Sequence, residues 1–383
     1  MTAIDILSKL VSFSVLGGES NLSIAKWIQE YLESHGVDVH LFYNKEKTKA
    51  SIICRIGPAV DDGVILSGHM DVVPVEGQEW DTNPFELVNK GDGNLYARGA
   101  CDMKGYLAMC LAVVPEMMQS TLKKPIYFAF SFDEEIGCLE GENMVKQLKE
   151  TYSETPRFAI IGEPSMMQPV IGHKGIYVLK TVVNGSSGHS SRIRQEVSAI
   201  HEAARLILWL ENKMNTLVDN GHLDDRFTPP HTSIHIGQIN AGIAPNIIAD
   251  TATFYWDIRV IPKDNAKEIV QEFKQYCIEL EIEKRKMFPN FKIETTEEHP
   301  TVPVLDTDAT AEVVDLVKRI SKSNAIQTVA YASEAGHFQE GGYESIICGP
   351  GSIAQAHRAN EFVSVEQLNS GVQMIQNLVK ELN

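Results

Sequence analysis

Three consecutive acids, Asp133, Glu134 and Glu135, end the apolar run Ile126, Tyr127, Phe128, Ala129, Phe130, and Ile136 and Gly137 follow them. The run is rich in aromatic and β-favouring residues and predicts a buried strand. In open α/β sheets, ligands bind at the carboxyl ends of the strands. Two adjacent glutamates there can divide a hydrolysis between them, one holding a metal ion and the other free to move protons. Taken alone, the triplet also suits an acidic turn that caps the next helix.

Other acids and histidines share this context. His69 follows VILSG, Glu163 follows FAIIG, and His357 lies in the loop after SIICG. Asp102 lies between Leu95 and Tyr96 on one side and an apolar helix on the other. Parallel strands would set such positions along one edge of a sheet. Two histidines and three carboxylates suit two zinc-like ions if one carboxylate bridges them. Asp71, close after His69, is placed to hold the imidazole's other nitrogen and fix its tautomer. Each piece has a plainer explanation by itself: a structural histidine at a strand end, a helix cap at Asp102, a common turn at GEP. GPGS resembles a phosphate-binding loop but lacks the Walker lysine and spacing. GSSGHSS around His189 also suits a flexible Ser-rich loop. The metal reading is favoured because every plainer explanation would have to hold at once.

The elements that must carry these residues follow from periodicity and turn signals. Helices are expected over 2–11, 21–34, 105–118 and 309–321, and a last one after the capping-box pair Ser364 and Gln367. Strands are expected at 37–43, 50–56, 64–67, 126–130, 158–161 and 345–348. From 176 to 298 the order changes to strand, helix, strand, strand, helix, strand, that of a ferredoxin-like unit. The expected architecture is therefore an α/β domain built from residues 1–175 and 299–383, with a smaller α+β domain, 176–298, inserted.

Composition narrows the functional classes. The chain has 383 residues, too many for one ordinary core. Its formal charge of −17 would repel phosphate backbones and argues against nucleic-acid binding. Six cysteines without CxxC spacing predict reduced core thiols in a cytoplasmic protein. The N-terminal segment lacks the basic region of a signal peptide, and no apolar run is long enough to span a membrane.

Together, SGHMDVVP, ARGACDMKG, FDEE, IGEP and GPGSIAQAH resemble the co-catalytic zinc metallopeptidases and amidohydrolases, which include aminoacylases, succinyl-diaminopimelate desuccinylases and acetylornithine deacetylases. The likeness spans nearly the whole chain. IIGEPSMMQPVIGHKG, SGHSS, SEAGHF and GPGSIAQAH with Glu361 and Phe362 resemble the acetylornithine deacetylase branch most. Departures lie in RIRQEV after SGHSS, in Ser333 before Glu334 and in RANEF after His357, and they touch the lid hinge and substrate loops, hence specificity more than chemistry.

The resemblance implies a mixed-sheet zinc-peptidase-like catalytic domain, and a ferredoxin-like insert acting as lid and dimerisation domain. It implies that His69, Asp102 and Glu163 hold one metal, and Asp102, Glu135 and His357 the other. Glu134 would be the free base, and His189 would stabilise the oxyanion. Asn246 and Arg259 would bind the substrate carboxylate, and Glu334 would read a cationic side chain. A cis peptide between Asp102 and Met103 is implied as well. The expected cofactors are two divalent ions, zinc ahead of cobalt or manganese. The expected reaction is hydrolysis of N2-acetyl-L-ornithine in arginine biosynthesis, by a cytoplasmic homodimer with no nucleic-acid or membrane partner. Desuccinylation of succinyl-diaminopimelate, broad N-acyl amino acid hydrolysis and a metal-binding relative without catalysis remain alternatives.

Overall fold

A strand that is apolar on both faces needs neighbours beside it and cover above and below. The computed structural model describes residues 1–383. In it Ile126–Ser131, Val64–His69, Phe158–Pro164 and Glu344–Gly349 lie side by side in that order, all parallel. Every residue of the first two strands is buried. Ala50–Ile56 and then Val39–Tyr43 extend the sheet antiparallel on one side. Val170–His173, antiparallel to Glu344–Gly349, and Leu305–Asp306 extend it on the other. The result is a mixed sheet of nine strands once Gln327–Val329 is added beside Val170–His173.

The chain divides into two units, Met1–Gly172 with Leu305–Thr328 and Ser333–Asn383, and His173–Val304 with Val329–Ala332. In the first, Lys104–Gln119 is buried nearly all round, as its apolar sequence predicts, and packs against Ala3–Val11 and Val365–Glu381. Thr2 and Asp5 cap Ala3–Val11 reciprocally. At Ser364 only half of the expected box forms. The serine side chain accepts from Gln367 N–H at 3.0 Å, but Gln367 Oε1 accepts from Gly351 N–H.

The second unit has the order Gly175–Asn184, Ala199–Asp219, Ser233–Ala241, Thr251–Val260, Ala266–Lys284, Lys292–Glu297. Its four strands pair antiparallel, with Thr251–Val260 and Gly175–Asn184 in the centre. It has its own core around Phe254, Trp256 and Phe273. The unit runs past the expected 176–298 because Ile176 and Val302 form a further bridge. Periodicity missed Gly141–Thr151 and Ala335–Glu340, which are short and bury only four residues each. It also missed the small sheet of Val88–Asn89, Asn94–Tyr96 and Phe362–Ser364, whose strands are too short to show alternation. All six cysteines are free and buried, and no helix is long and apolar enough to cross a membrane.

One close approach holds the sheet to its buried helix. Tyr106 lies across Gly162, and its hydroxyl donates to Ile160 O at 3.1 Å. A Cβ on Gly162 would sit 2.0–2.3 Å from the Tyr106 ring. Gly162→Ala should therefore destabilise the fold by at least ~1–3 kcal/mol, the usual cost of overpacking a core. Urea or thermal denaturation reads this, and an unchanged midpoint would show that the ring has room to move.

Candidate metal centre

Because four neighbouring strands run parallel, their carboxyl ends share one edge. His69 ends Val64–His69, opposite Ser131 in register. Glu134 and Glu135 follow Ile126–Ser131, Glu163 lies on Phe158–Pro164, and His357 is in the loop after Glu344–Gly349. Asp102 precedes Lys104–Gln119, and the Asp102–Met103 peptide bond is cis.

These side chains converge. One Asp102 oxygen lies 3.2 Å from His69 Nε2 and the other 3.5 Å from His357 Nε2. Glu135 Oε2 is 3.0 Å from the same His357 nitrogen. The donor atoms of His69, Asp102 and Glu135 all fall within 4.8 Å of one another, as do those of His69, Glu134 and Glu163. Glu134 thus stands in a ligand-like group although the resemblance casts it as a free base. Its Oε1 accepts the Cys138 thiol at 3.1 Å, and its Oε2 is 3.9 Å from His69 Nε2.

Neighbouring groups build the acidic turn. Asp133 has φ of 58°, a left-handed conformation that aspartate tolerates better than most residues. One of its oxygens accepts from Gly18 N–H at 2.8 Å, and the other pairs with Lys49. Asp71 acts differently from expectation. His69 Nδ1 donates to the Asp71 backbone carbonyl at 2.9 Å, and the carboxylate stands 3.7 Å from that nitrogen. The carboxylate instead accepts the N–H groups of Glu134 and Glu135 at 3.3 and 3.2 Å. With a carbonyl already serving the ring, the charged group satisfies two turn amides that need partners.

Burial dominates the electrostatics. It pushes Glu134 up to about 8, against the pull of His69 and with the help of Glu135, Glu334 and Asp102. It raises Glu163 well above the carboxylate range and raises Glu135 as well. Asp102 goes the other way: burial opposes ionisation, but hydrogen bonds from His357 and His69 outweigh it. Hydrogen bonds to Asp102 and Glu135 raise His357 to about 10. His69 is also raised well above its ordinary value, against burial, by Asp102 and by the charges of Glu134, Asp71 and Glu163.

This donor set fits divalent cations. Glu135 Oε1 is buried with no hydrogen-bond partner, and the ion-pair partners of Asp102, Glu134 and Glu135 are histidines. Packed carboxylates lacking a lysine or arginine need another positive charge, and oxygen with imidazole nitrogen is the donor mix of zinc and similar ions. Asp102, with an oxygen toward each imidazole, is the carboxylate placed to serve two of them.

Three expected residues belong to the second unit. His189 is exposed, with Nδ1 2.8 Å from Ser191 Oγ. Pairing of Gly188–His189 with Ile247–Ile248 brings it beside Asn246, whose carbonyl accepts from Ser190 N–H at 3.1 Å. Arg259, on Thr251–Val260, pairs with Asp257 at 3.1 Å. Glu334 lies in the first unit at the start of Ala335–Glu340 and is 1% exposed. Ser131 Oγ donates to one of its oxygens at 2.9 Å, and the other has no partner. Burial raises it to about 7. Sequence reasoning missed the contacts of Asp133 and the buried ion pair of Arg98 with Glu361, 2.7 Å apart. The acid run hinted at Asp133, whereas no local signal joins Arg98 to Glu361, which are 263 residues apart.

The model of "Peptidase family M20/M25/M40" matches residues 65–381. An acetylornithine deacetylase of Myxococcus xanthus is 32% identical over 367 residues, 94% of this chain and 92% of that one. One from Aliivibrio salmonicida is 28% identical over 361 residues, again covering 94% and 92%. Among solved structures, a tripeptidase from Staphylococcus aureus superposes with a TM-score of 0.77 at 21% identity, covering 99% of this chain and 97% of that one.

Hydrogen bonds to Asp102 and Glu135 hold His357 at about 10, so its ring keeps a proton at pH 7 when no cation is present, and His69 is shifted in the same direction. Metal ligation needs neutral imidazole, so loading must expel protons and apparent affinity must rise with pH. Calorimetric zinc titrations at pH 7, in buffers of different ionisation enthalpy, should show net proton release on loading. Binding without proton release would contradict this electrostatic picture.

Proposed function

Because the chain belongs to peptidase family M20/M25/M40 and is a metal-dependent hydrolase, we propose that it hydrolyses N2-acetyl-L-ornithine to L-ornithine and acetate, a step of arginine biosynthesis. The observation that carries this reading is the nearly end-to-end likeness to acetylornithine deacetylases. Convergence of the same acids and histidines at one sheet edge supports the chemistry.

Asp102 would be shared by two divalent ions, with His69 and Glu163 completing one ligand set and Glu135 and His357 the other. When bound, such ions polarise the scissile carbonyl and lower the pKa of water to roughly 7. Glu134 has one oxygen held by the Cys138 thiol. The other is left to take a proton from water and deliver it to the departing amine. Amines leave poorly until protonated, so the same carboxyl acts first as base and then as acid. Its raised affinity for protons, about 8, suits a group that must hold one between the two steps. Cations alongside would draw that value down toward neutrality. Asp71 keeps the Glu134–Glu135 turn and the His69 ring in position.

Glu134→Ala should bind metal as the parent does and lose about 10²–10⁴-fold in kcat, the usual worth of a general base. Glu135→Ala should lose metal instead. Metal analysis beside steady-state kinetics separates the two, and the reverse pattern would exchange their roles.

The substrate reading is tested by acetate release from N2-acetylornithine against N-acetylmethionine, succinyl-diaminopimelate and a tripeptide. N2-acetylornithine should be preferred, and a faster tripeptide would place the chain with peptidases. Glu334 is our candidate for the substrate's side-chain ammonium, because one of its buried oxygens lacks a partner and it influences Glu134. Glu334→Gln should lower kcat/KM for acetylornithine more than for acetylmethionine. Equal losses would make it a positioning group for Glu134.

We also read the second unit as the lid that pairs two copies. The edge strand Ser233–Ala241 is largely exposed and has one free side, a natural place for strand pairing. In this reading His189 supplies an oxyanion donor to the partner copy, while Asn246 and Arg259 take the substrate carboxylate. Co-expressed Glu134→Ala and His189→Ala subunits, each nearly inactive alone, should then regain activity in the mixed dimer. No recovery would mean that His189 serves its own copy or none.

A further inference from the structure

The candidate ligands differ in how firmly the fold holds them. His69 and Glu163 sit on strands within a parallel ladder. Asp102 and His357 do not. Asp102 lies in a turn before a helix, and His357 has φ of 63° in a loop with its side chain 55% exposed. Yet these two must keep their separation, since both would contact the same ion.

A chain of hydrogen bonds, buried at Glu361 and Arg98 and open to solvent at Gln78, joins their backbones. Glu361 Oε1 accepts the N–H groups of Cys101 and Asp102 at 2.9 and 3.0 Å. Its other oxygen accepts from Arg98 Nη1 at 2.7 Å, and that nitrogen also reaches Arg358 O at 3.3 Å. Arg98 Nη2 donates to Gln78 Oε1 at 2.6 Å, and Gln78 Nε2 donates to the backbone carbonyl of His357 at 2.8 Å. The path from Asp102 N–H to His357 C=O is thus Glu361, Arg98, Gln78, with no gap. Trp80 braces it, its ring lying 5.2 Å from the Arg98 guanidinium and its Nε1 donating to Gln78 Oε1 at 3.2 Å.

The choice of groups points to geometry as the purpose. Arg98 and Glu361 are each 1% exposed. A buried ion pair gains little net stability over apolar residues of the same size. A planar guanidinium, however, can hold several acceptors at fixed angles, which a lysine cannot. We propose that the Arg98–Glu361 pair, extended by Gln78, is a positioning clamp that sets Asp102 and His357 at a fixed separation and thereby tunes the affinity of the metal they share. None of the three side chains touches substrate in this scheme. The proposal rests on reading Asp102 and His357 as metal ligands.

The test uses full-length protein with zinc as the probe, its binding followed by competition with a chelator. Glu361→Gln keeps the shape but removes the charge that Arg98 faces. It should weaken zinc binding about 10–100-fold, the typical effect of losing a group that orients a ligand. Gln78→Glu, at a half-buried loop position, keeps the acceptor for Arg98 and removes the donor to His357. It should weaken one of the two zinc ions about tenfold and leave the other as in the parent. Wild-type affinity at both sites in Gln78→Glu overturns the clamp even if Glu361→Gln fails to fold. A lower melting temperature of the metal-free variants, with zinc affinity unchanged, also overturns it and leaves an ordinary structural ion pair. Asp102→Ala separates premise from inference. If it retains both ions, the metal reading fails and the clamp with it. If it loses zinc while Glu361→Gln and Gln78→Glu do not, the clamp alone fails.

Discussion

Crowding of buried carboxylates at one edge of the sheet is the constraint on which the rest of the structure depends. Asp71, Asp102, Glu134, Glu135 and Glu163 meet there with two imidazoles. Placing several like charges in a poorly solvated space is costly unless each is paired, hydrogen-bonded or protonated. The surrounding structure supplies those partners one by one. Asp71 takes two turn amides, Asp133 takes Gly18 N–H and Lys49, and Asp102 takes both imidazoles. What remains is above all one Glu135 oxygen that is buried without a hydrogen-bond partner.

Such an arrangement needs a stiff support, because a small displacement would bring like charges together or pull ligands apart. Parallel strands buried on both faces provide it, and the apolar helix Lys104–Gln119 packs against them. Close approach is part of the stiffness: at Gly162 the Tyr106 ring leaves no space for a Cβ. The parts that cannot be strand, the Asp102 turn and the His357 loop, are tied by polar bonds instead. Rigid ladders and a chain of polar bonds are two physical solutions to the same positioning problem.

The second unit answers to different physics. Its sheet has a separate apolar core and open edges. His189 lies on its short ladder and Asn246 just before it, both exposed and held by local hydrogen bonds. Exposed polar residues outside a core are free to take part in binding without disturbing the packing.

How much could be read from the sequence follows from the range of each interaction. Apolar runs of several residues, the amphipathic and buried helices, the βαββαβ order and the acids at strand ends are local patterns, and they were legible. So was the likeness in SGHMDVVP, FDEE and IGEP that marks the family. Short or polar elements such as Gly141–Thr151 and Phe362–Ser364 carry too few apolar positions to show a period, and only packing reveals them. Tertiary structure alone decided that the Asp71 carbonyl rather than its carboxylate holds the His69 ring. It also placed Glu334 under Ser131 and joined Arg98 to Glu361. Each of these is a contact between residues whose chemistry permits many partners. Distance along the chain carries no information about which partner is chosen; the parallel crossovers of the sheet do.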